Sequence, residues 1–280
     1  MDVITKIDEM SAKVISIKER KESIGFVPTM GALHEGHLNL IQNARDENNR
    51  LIVSIFVNPT QFDESEDFNS YPRQSDKDVE IAASVNVDVI FVPSTEELYP
   101  EGFCTNVVQN KLTETLCGRS RPGHFRGVTT IVTKLFNIIR PDRVYFGQKD
   151  YQQSVVVKRL VRDLNMEIDV KVLPTIREKD GLAFSSRNKR LNSEERLGAV
   201  CLYNSLLKAK TMVALKEKST KKIIEEMVSI INSAEHNKID YVSIVDPDTL
   251  DNVSWIDGKV VAVVAVWIGA TRLIDNMILE

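Results

Sequence analysis

Cysteine is scarce in this chain, with three residues in 280, at Cys104, Cys117 and Cys201, and no CxxC pair. That argues against a disulfide scaffold or a structural zinc site and fits a reducing cytoplasm. Histidine is nearly as rare, with four in all, two of them in His34-Glu35-Gly36-His37. An HExxH zinc motif needs its histidines four apart, and these are three apart, so zinc is not expected. Long apolar runs are missing too. The longest, Val260–Ala270, falls short of the roughly 20 residues that a bilayer helix needs and reads as a buried strand. The opening Met1-Asp2-Val3-Ile4-Thr5-Lys6 has no basic start followed by an apolar stretch, so no signal peptide is expected. Walker A, GxGxxG and GxSxG sequences are all absent.

What is present describes an ordinary globular protein: 42% apolar residues, 27% charged, formal net charge −4. An acidic pI near 5.7 argues against a general nucleic-acid binder. The charge is uneven, however. Between Lys111 and Arg190 lie 17 Lys+Arg against 8 Asp+Glu, a local net of +9. Such a stretch suits an anionic ligand, although unequal helix faces would give the same count.

Apolar spacing sets the expected fold. Ile7, Met10, Val14 and Ile17 recur at helical intervals, predicting a helix over residues 2–20. Short apolar runs at Ile24–Pro28, Leu51–Val57, Val87–Val92, Arg143–Phe146 and Ile168–Leu173 read as strands. Helices are predicted between them, over 36–48, 75–85, 128–139 and 151–164. The β–α–β order predicts α/β architecture: a parallel sheet wrapped by helices, with ligands at the carboxyl ends of its strands. After residue 179 the pattern changes. A polar cap and acidic first turn at Asn192–Glu195 open a helix, a second lies over 223–231, and three strand-like runs follow over 240–245, 260–267 and 273–278. A small α+β unit is expected there.

Four polar segments carry candidate chemistry. Pro28–His37 follows the first buried strand, and a helix starting there offers free N–H groups and two histidines to phosphate. A turn merely capped by histidines is the plain alternative. Phe56–Phe62 follows the next strand, and Asn58 and Gln61 could recognise a polar substrate, though loop polarity explains them equally. Tyr145–Gln153 places Lys149 at a strand-to-helix junction, where a solvated Lys–Asp pair is the alternative. Gly181–Asn188 sets two hydroxyls beside Arg187, suited to polyphosphate or to a basic linker. Arg119–Gly127 adds a basic, Gly-rich loop with the third histidine, and His236 sits among polar residues as a solvated group.

Taken together, Pro28–His37, Phe56–Phe62, Tyr71-Pro72-Arg73, Arg121–Phe125, Phe146–Gln153, Ser185–Asn188 and the C-terminal Arg272–Asn276 resemble the pantothenate synthetase (pantoate–β-alanine ligase) family, within the HxGH-type nucleotidyltransferases. The resemblance spans nearly the whole chain. It implies a Rossmann-like nucleotide domain over 1–179, a smaller α+β lid domain over 180–280, and a cytoplasmic homodimer without nucleic-acid or membrane partners. It also implies a step of pantothenate, and so coenzyme A, biosynthesis. Pantoate and ATP with Mg²⁺ would give pantoyl adenylate and pyrophosphate, and β-alanine would then displace AMP.

The resemblance further implies roles by position. Met30, Gly31, Ala32, Leu33, His34, Glu35, Gly36 and His37 would bind ATP, with His34 and His37 on its phosphates and His37 as proton donor. Gly147, Gln148, Lys149 and Asp150 would bind ATP as well, Lys149 on phosphate and Asp150 on ribose. Ile176, Phe184, Ser185, Ser186 and Arg187 would complete that site. Gln61 and Gln153 would hold pantoate, with Gln61 also near β-alanine, and Asn58 and Arg121 beside them. His37, His34, Lys149 and Arg187 form the implied catalytic set. Asp78 falls where the family places a metal-associated acid, but Lys77 replaces a neighbouring acid. Phe184, Gln148 and Arg126 also depart from commoner family choices.

Overall fold

The structure, a computed structural model, describes residues 1–62, 68–69, 71–235 and 237–280. His236 therefore lies outside the described residues. Contacts divide the chain into two compact units. The first comprises residues 1–113, 121–147 and 153–173, and the second 114–120, 148–152 and 174–280. The sequence pattern predicts a division after 179; in the structure two short inner segments also group with the C-terminal part.

The first unit is built on a six-stranded sheet in the order β1-β4-β3-β2-β5-β6. In chain order its elements are β1 (Asp2–Ile4), α1 (Ile7–Glu19), β2 (Ile24–Thr29), α2 (Glu35–Glu47), β3 (Arg50–Ile55), α3 (Ser75–Ser84), β4 (Val89–Phe91), α4 (His124–Ile139), β5 (Arg143–Gly147), α5 (Tyr151–Asp163, whose first two residues group with the second unit) and β6 (Asp169–Leu173). Every strand pair is parallel. Leu51 to Ile55 are all buried, as a strand covered by helices on both faces requires. Met10, Val14 and Ile17 fill one stripe of α1 and are fully buried, each stabilising the unit by about 1.5–3 kcal/mol.

The expected helix over 2–20 is corrected at its start. Asp2–Ile4 pairs with Val89–Phe91 as an edge strand, and the helix begins at Ile7, where the apolar periodicity begins. Local spacing cannot reveal a partner 87 residues away. From β2 the chain adds β3 and then β4 on one side, and later returns to add β5 on the other side of β2. The order therefore reverses between β2 and β5, the place where open parallel sheets bind their ligands.

The second unit carries an antiparallel sheet, β7 (Asn237–Val245), β8 (Val260–Ile268) and β9 (Thr271–Leu279), with β8 in the centre. Its helices α6 (Cys201–Ala214) and α7 (Thr220–Asn232) supply Leu202, Leu206, Ile223, Met227 and Ile231 to a core shared with Ala262, Val264 and Val266 of β8. A short helix at Ser193–Gly198 opens with the expected polar cap: Asn192 Oδ1 accepts from Glu195 N, and the Glu195 carboxylate accepts from Asn192 N, both at 2.9 Å. Among the described residues no helix is long and apolar enough to cross a membrane.

Candidate active site

In the first unit, the chain leaves β2 at Thr29 and turns sharply. Gly31 has φ +81° and Ala32 φ +51°, a left-handed pair that glycine tolerates and alanine does not favour. Two anchors hold the turn. Thr29 Oγ1 donates to Ser54 O at 2.7 Å and accepts from Gly31 N at 3.1 Å. Asp78, 1% exposed, accepts Ala32 N on Oδ2 and Leu33 N on Oδ1, each at 2.8 Å. Asp78, expected beside a metal, thus has both carboxylate oxygens engaged by backbone. Among the described residues no three His, Cys, Asp or Glu side chains converge as a metal cage.

The turn delivers His34 as the N-cap of α2. Its Nδ1 accepts from Gly36 N at 3.2 Å, while His37 Nδ1 accepts from His34 N at 3.3 Å. The two bonds form a reciprocal capping box built from imidazoles instead of a hydroxyl and a carboxylate. A ring nitrogen that accepts an N–H carries no proton, so in each neutral ring the proton sits on Nε2. The ring centroids lie 4.1 Å apart with the planes tilted by 39°. The helix start therefore combines a positive dipole end with two Nε2–H donors, a constellation suited to phosphoryl oxygen.

After β3, Asn58 caps a 3₁₀ turn over Pro59–Gln61. Asn58 is 1% exposed, and its amide is fully engaged inside the protein. Oδ1 accepts from Tyr99 OH at 2.9 Å and Thr60 Oγ1 at 3.0 Å, and Nδ2 donates to Gln61 Oε1 at 3.1 Å and Gly127 O at 3.2 Å. Asn58, expected beside the substrate, orients Gln61 through its Nδ2. Gln61 is also held through its carbonyl, which accepts from Arg121 Nη2 at 3.1 Å and His124 Nδ1 at 2.7 Å. Arg121 thus also meets the turn through backbone. Gln153 lies in the first turn of α5 and is half-buried.

Sequence reasoning missed two supports of this turn. Burial raises the Tyr99 hydroxyl pKa above its ordinary value, keeping it a donor to Asn58. Gly127, inside α4, lies so close to the turn that a Cβ there would collide with the Thr60 carbonyl. A glycine within an otherwise strongly periodic helix was the available signal.

In the second unit, Gln148–Asp150 form a 3₁₀ turn directly after β5. Lys149 lines a cleft with Ala183, Ser185, Asn188, Ile274 and Asp275. Its ammonium lies 4.0 Å from Asp150 Oδ1, a loose pair that leaves Asp150 half exposed. Ile176 and Phe184 meet through Phe184 N and Ile176 O at 3.0 Å. Ser185 Oγ then caps the turn Ser186–Arg190 by accepting from Arg187 N at 3.2 Å. The expected residues Lys149 and Ser185 thus share one cleft.

An all-parallel sheet whose order reverses beside β2, followed by a His-x-Gly-His helix start, defines an α/β nucleotidyltransferase-like fold. The family model for pantoate-beta-alanine ligase matches residues 2–278, and the chain belongs to that family of carbon–nitrogen ligases. It is 54% identical to the pantothenate synthetase of Thermotoga petrophila over 279 residues, covering 100% of both chains. It is 51% identical to that of Moorella thermoacetica over 280 residues, covering 100% of this chain and 99% of the relative. Among solved structures, pantothenate synthetase from Thermus thermophilus superposes with TM-score 0.94 at 41% identity, covering 99% of each chain. The Francisella tularensis pantoate-beta-alanine ligase, complexed with beta-gamma ATP and beta-alanine, matches with TM-score 0.81 at 36% identity, covering 99% of this chain and 97% of that one.

Proposed function

We propose that the chain joins pantoate to β-alanine in two half-reactions: ATP and pantoate give pantoyl adenylate and pyrophosphate, then the β-alanine amine displaces AMP. The observation that carries this reading is the imidazole capping box, which engages each Nδ1 with backbone and so puts the proton of each neutral ring on Nε2 at a helix N-terminus. A carboxylate and a triphosphate repel each other, and the reaction builds further charge on departing pyrophosphate. Donors fixed in advance stabilise that charge without reorganising. His34 and His37 fill this role, His37 as proton donor, with Lys149 and Arg187 as the cations. The remaining ATP contacts are Met30–His37, Gly147–Asp150, Ile176 and Phe184–Arg187. Gln61 and Gln153 hold pantoate as neutral amides, and Gln61 also serves β-alanine, the ligand named for the Francisella complex.

Mg²⁺ enters as the counter-ion of ATP, on its phosphates, since this cation keeps much of its water and seldom takes an all-protein cage. Asp78 accepts one backbone N–H on each oxygen, so its first task is to anchor the turn, and a lone pair on each oxygen stays available to a cation. The chain works as a homodimer in the cytoplasm, a compartment that its three cysteines, joined by no disulfide, support.

The test is direct. Pantoate, β-alanine and MgATP mixed with the protein should yield AMP, pyrophosphate and pantothenate, with pantoate-dependent exchange of pyrophosphate into ATP when β-alanine is omitted. A dinucleotide product would mark a different nucleotidyltransferase. Nucleotide binding without AMP would mark a binding module.

A further inference from the structure

The C-terminal run Arg272–Asn276 belongs to none of the ligand roles above, yet it contains the most deeply buried polar pair in the second unit outside the helices. Asp275 is 3% exposed and Asn276 2%. Asn276 Nδ2 donates to both Gln148 O and Lys149 O, each at 2.9 Å, and its Oδ1 accepts from Gln148 Nε2 at 3.2 Å. One amide thereby fixes two consecutive peptide planes, those on either side of the Lys149 Cα–Cβ bond.

The amide is itself held. Asp275 Oδ1 accepts from Asn276 N at 2.7 Å, and the Asp275 carboxylate takes a two-pronged bond from Arg177, at 2.6 and 3.0 Å. Arg177 also donates to Asn276 O at 3.3 Å and Gly181 O at 3.0 Å, and its guanidinium lies over the Tyr203 ring at 4.6 Å. The forked geometry leaves the guanidinium little freedom. A rigid chain therefore runs from Arg177 through Asp275 and Asn276 to the turn that bears Lys149.

We propose that Asn276 is a positioning residue for Lys149, setting the direction in which the ammonium enters its cleft, with Arg177 and Asp275 as its mount. This rests on the ligase reading only in what Lys149 acts upon. No other side chain of similar volume can replace the clamp: aspartate would aim lone pairs at two carbonyls, and leucine would leave both without a donor.

Asn276→Ala removes the clamp, and Asn276→Ser keeps one donor with a smaller void. Asn237→Ala is the control for stability. It removes a two-bond amide, to Ile231 O and Cys201 Sγ, on β7 of the same sheet. Pantoate-dependent pyrophosphate–ATP exchange should fall about 10²-fold in Asn276→Ala, as for an ångström-scale misplacement, and by a smaller factor in Asn276→Ser. The loss should appear in kcat and in KM for ATP. Asn237→Ala should melt earlier and exchange like wild type.

ATP affinity measured by calorimetry without pantoate gives a second readout that needs no chemistry, and it should weaken in both Asn276 variants. Wild-type exchange and affinity in folded Asn276→Ser overturn the proposal, as does an equal exchange loss in Asn237→Ala. A wild-type protein that binds ATP without exchange overturns the ligase reading, and Asn276 is then judged on affinity.

Discussion

His34 and His37 lie 4.1 Å apart between ring centroids with their planes tilted by 39°, and each turns its Nδ1 onto a backbone N–H of the same helix start. Capping uses Nδ1 of each ring, and the proposed chemistry would use Nε2, so substitution can separate the two tasks. Asparagine is a strong N-cap and can accept from Gly36 N as His34 does. His34→Asn should keep the melting temperature near wild type while lowering pantoate-dependent exchange by about 10²–10³. His34→Ala should lose the rate and also about 1 kcal/mol of stability. Paired melting and exchange measurements check this. Wild-type exchange in His34→Asn would reduce the histidine to a cap.

Asp78→Asn tests the anchor beneath the Gly31–Ala32 turn. An asparagine can accept only one of the two N–H groups and presents an NH₂ to the other. The unsatisfied buried donor should cost about 1–3 kcal/mol. The loosened turn should raise KM for ATP. Since both oxygens serve backbone, added Mg²⁺ should not restore the variant, and recovery at high Mg²⁺ would return Asp78 to the metal.

Gly127→Ala probes the contact between α4 and the Asn58–Gln61 turn. The added methyl must displace the Thr60 carbonyl, and overpacking of this kind costs about 1–3 kcal/mol. Gln61 rides on that turn, so KM for pantoate should rise more than KM for ATP. Steady-state kinetics with each substrate varied in turn distinguishes this from general destabilisation, which would not discriminate between substrates.

Burial pushes the Cys201 thiol up to about 11, against the Asn237 amide, whose hydrogen bond works the other way. Tyr151 is likewise pushed up to about 12 by burial, with Asp248 and Asp246 nearby adding to the rise. Both groups are neutral when folded and ionise more readily when unfolded. Their contribution to stability is therefore complete below about pH 9 and is lost progressively above it, Cys201 through about 11 and Tyr151 through about 12. Denaturant titrations between pH 8 and 11 should show the decline, and Cys201→Ala should flatten part of it. At mildly alkaline pH, iodoacetamide should modify exposed Cys104 well before Cys201.

The parallel sheet and the HxGH-type turn were legible because both are local. Strand and helix periods repeat within ten residues, and the turn's histidines stand beside the glycine that lets the helix begin. What was not legible depends on partners distant in sequence. Asp2–Ile4 continues a helical reading until β4 is there to pair with it. Asn58 has the composition of a ligand residue, and only Tyr99 and Gly127 reveal that its amide is engaged. Asp78 looks like a free acid until Ala32 and Leu33 are seen to lie on it. In each case a polar side chain's partner, and not its type, decides its task.

The grouping of residues 114–120 and 148–152 with the C-terminal part has a practical corollary for dissection of the protein. A fragment ending at 173 would carry Lys149 without the amide that sets its turn. A fragment beginning at 174 would keep Asn276 with nothing to hold, and Asp240 without the hydroxyl of Ser120, which donates to it at 2.8 Å. No single cut yields two whole halves. Exchange of the C-terminal part between relatives should therefore succeed only when the two inner segments travel with it.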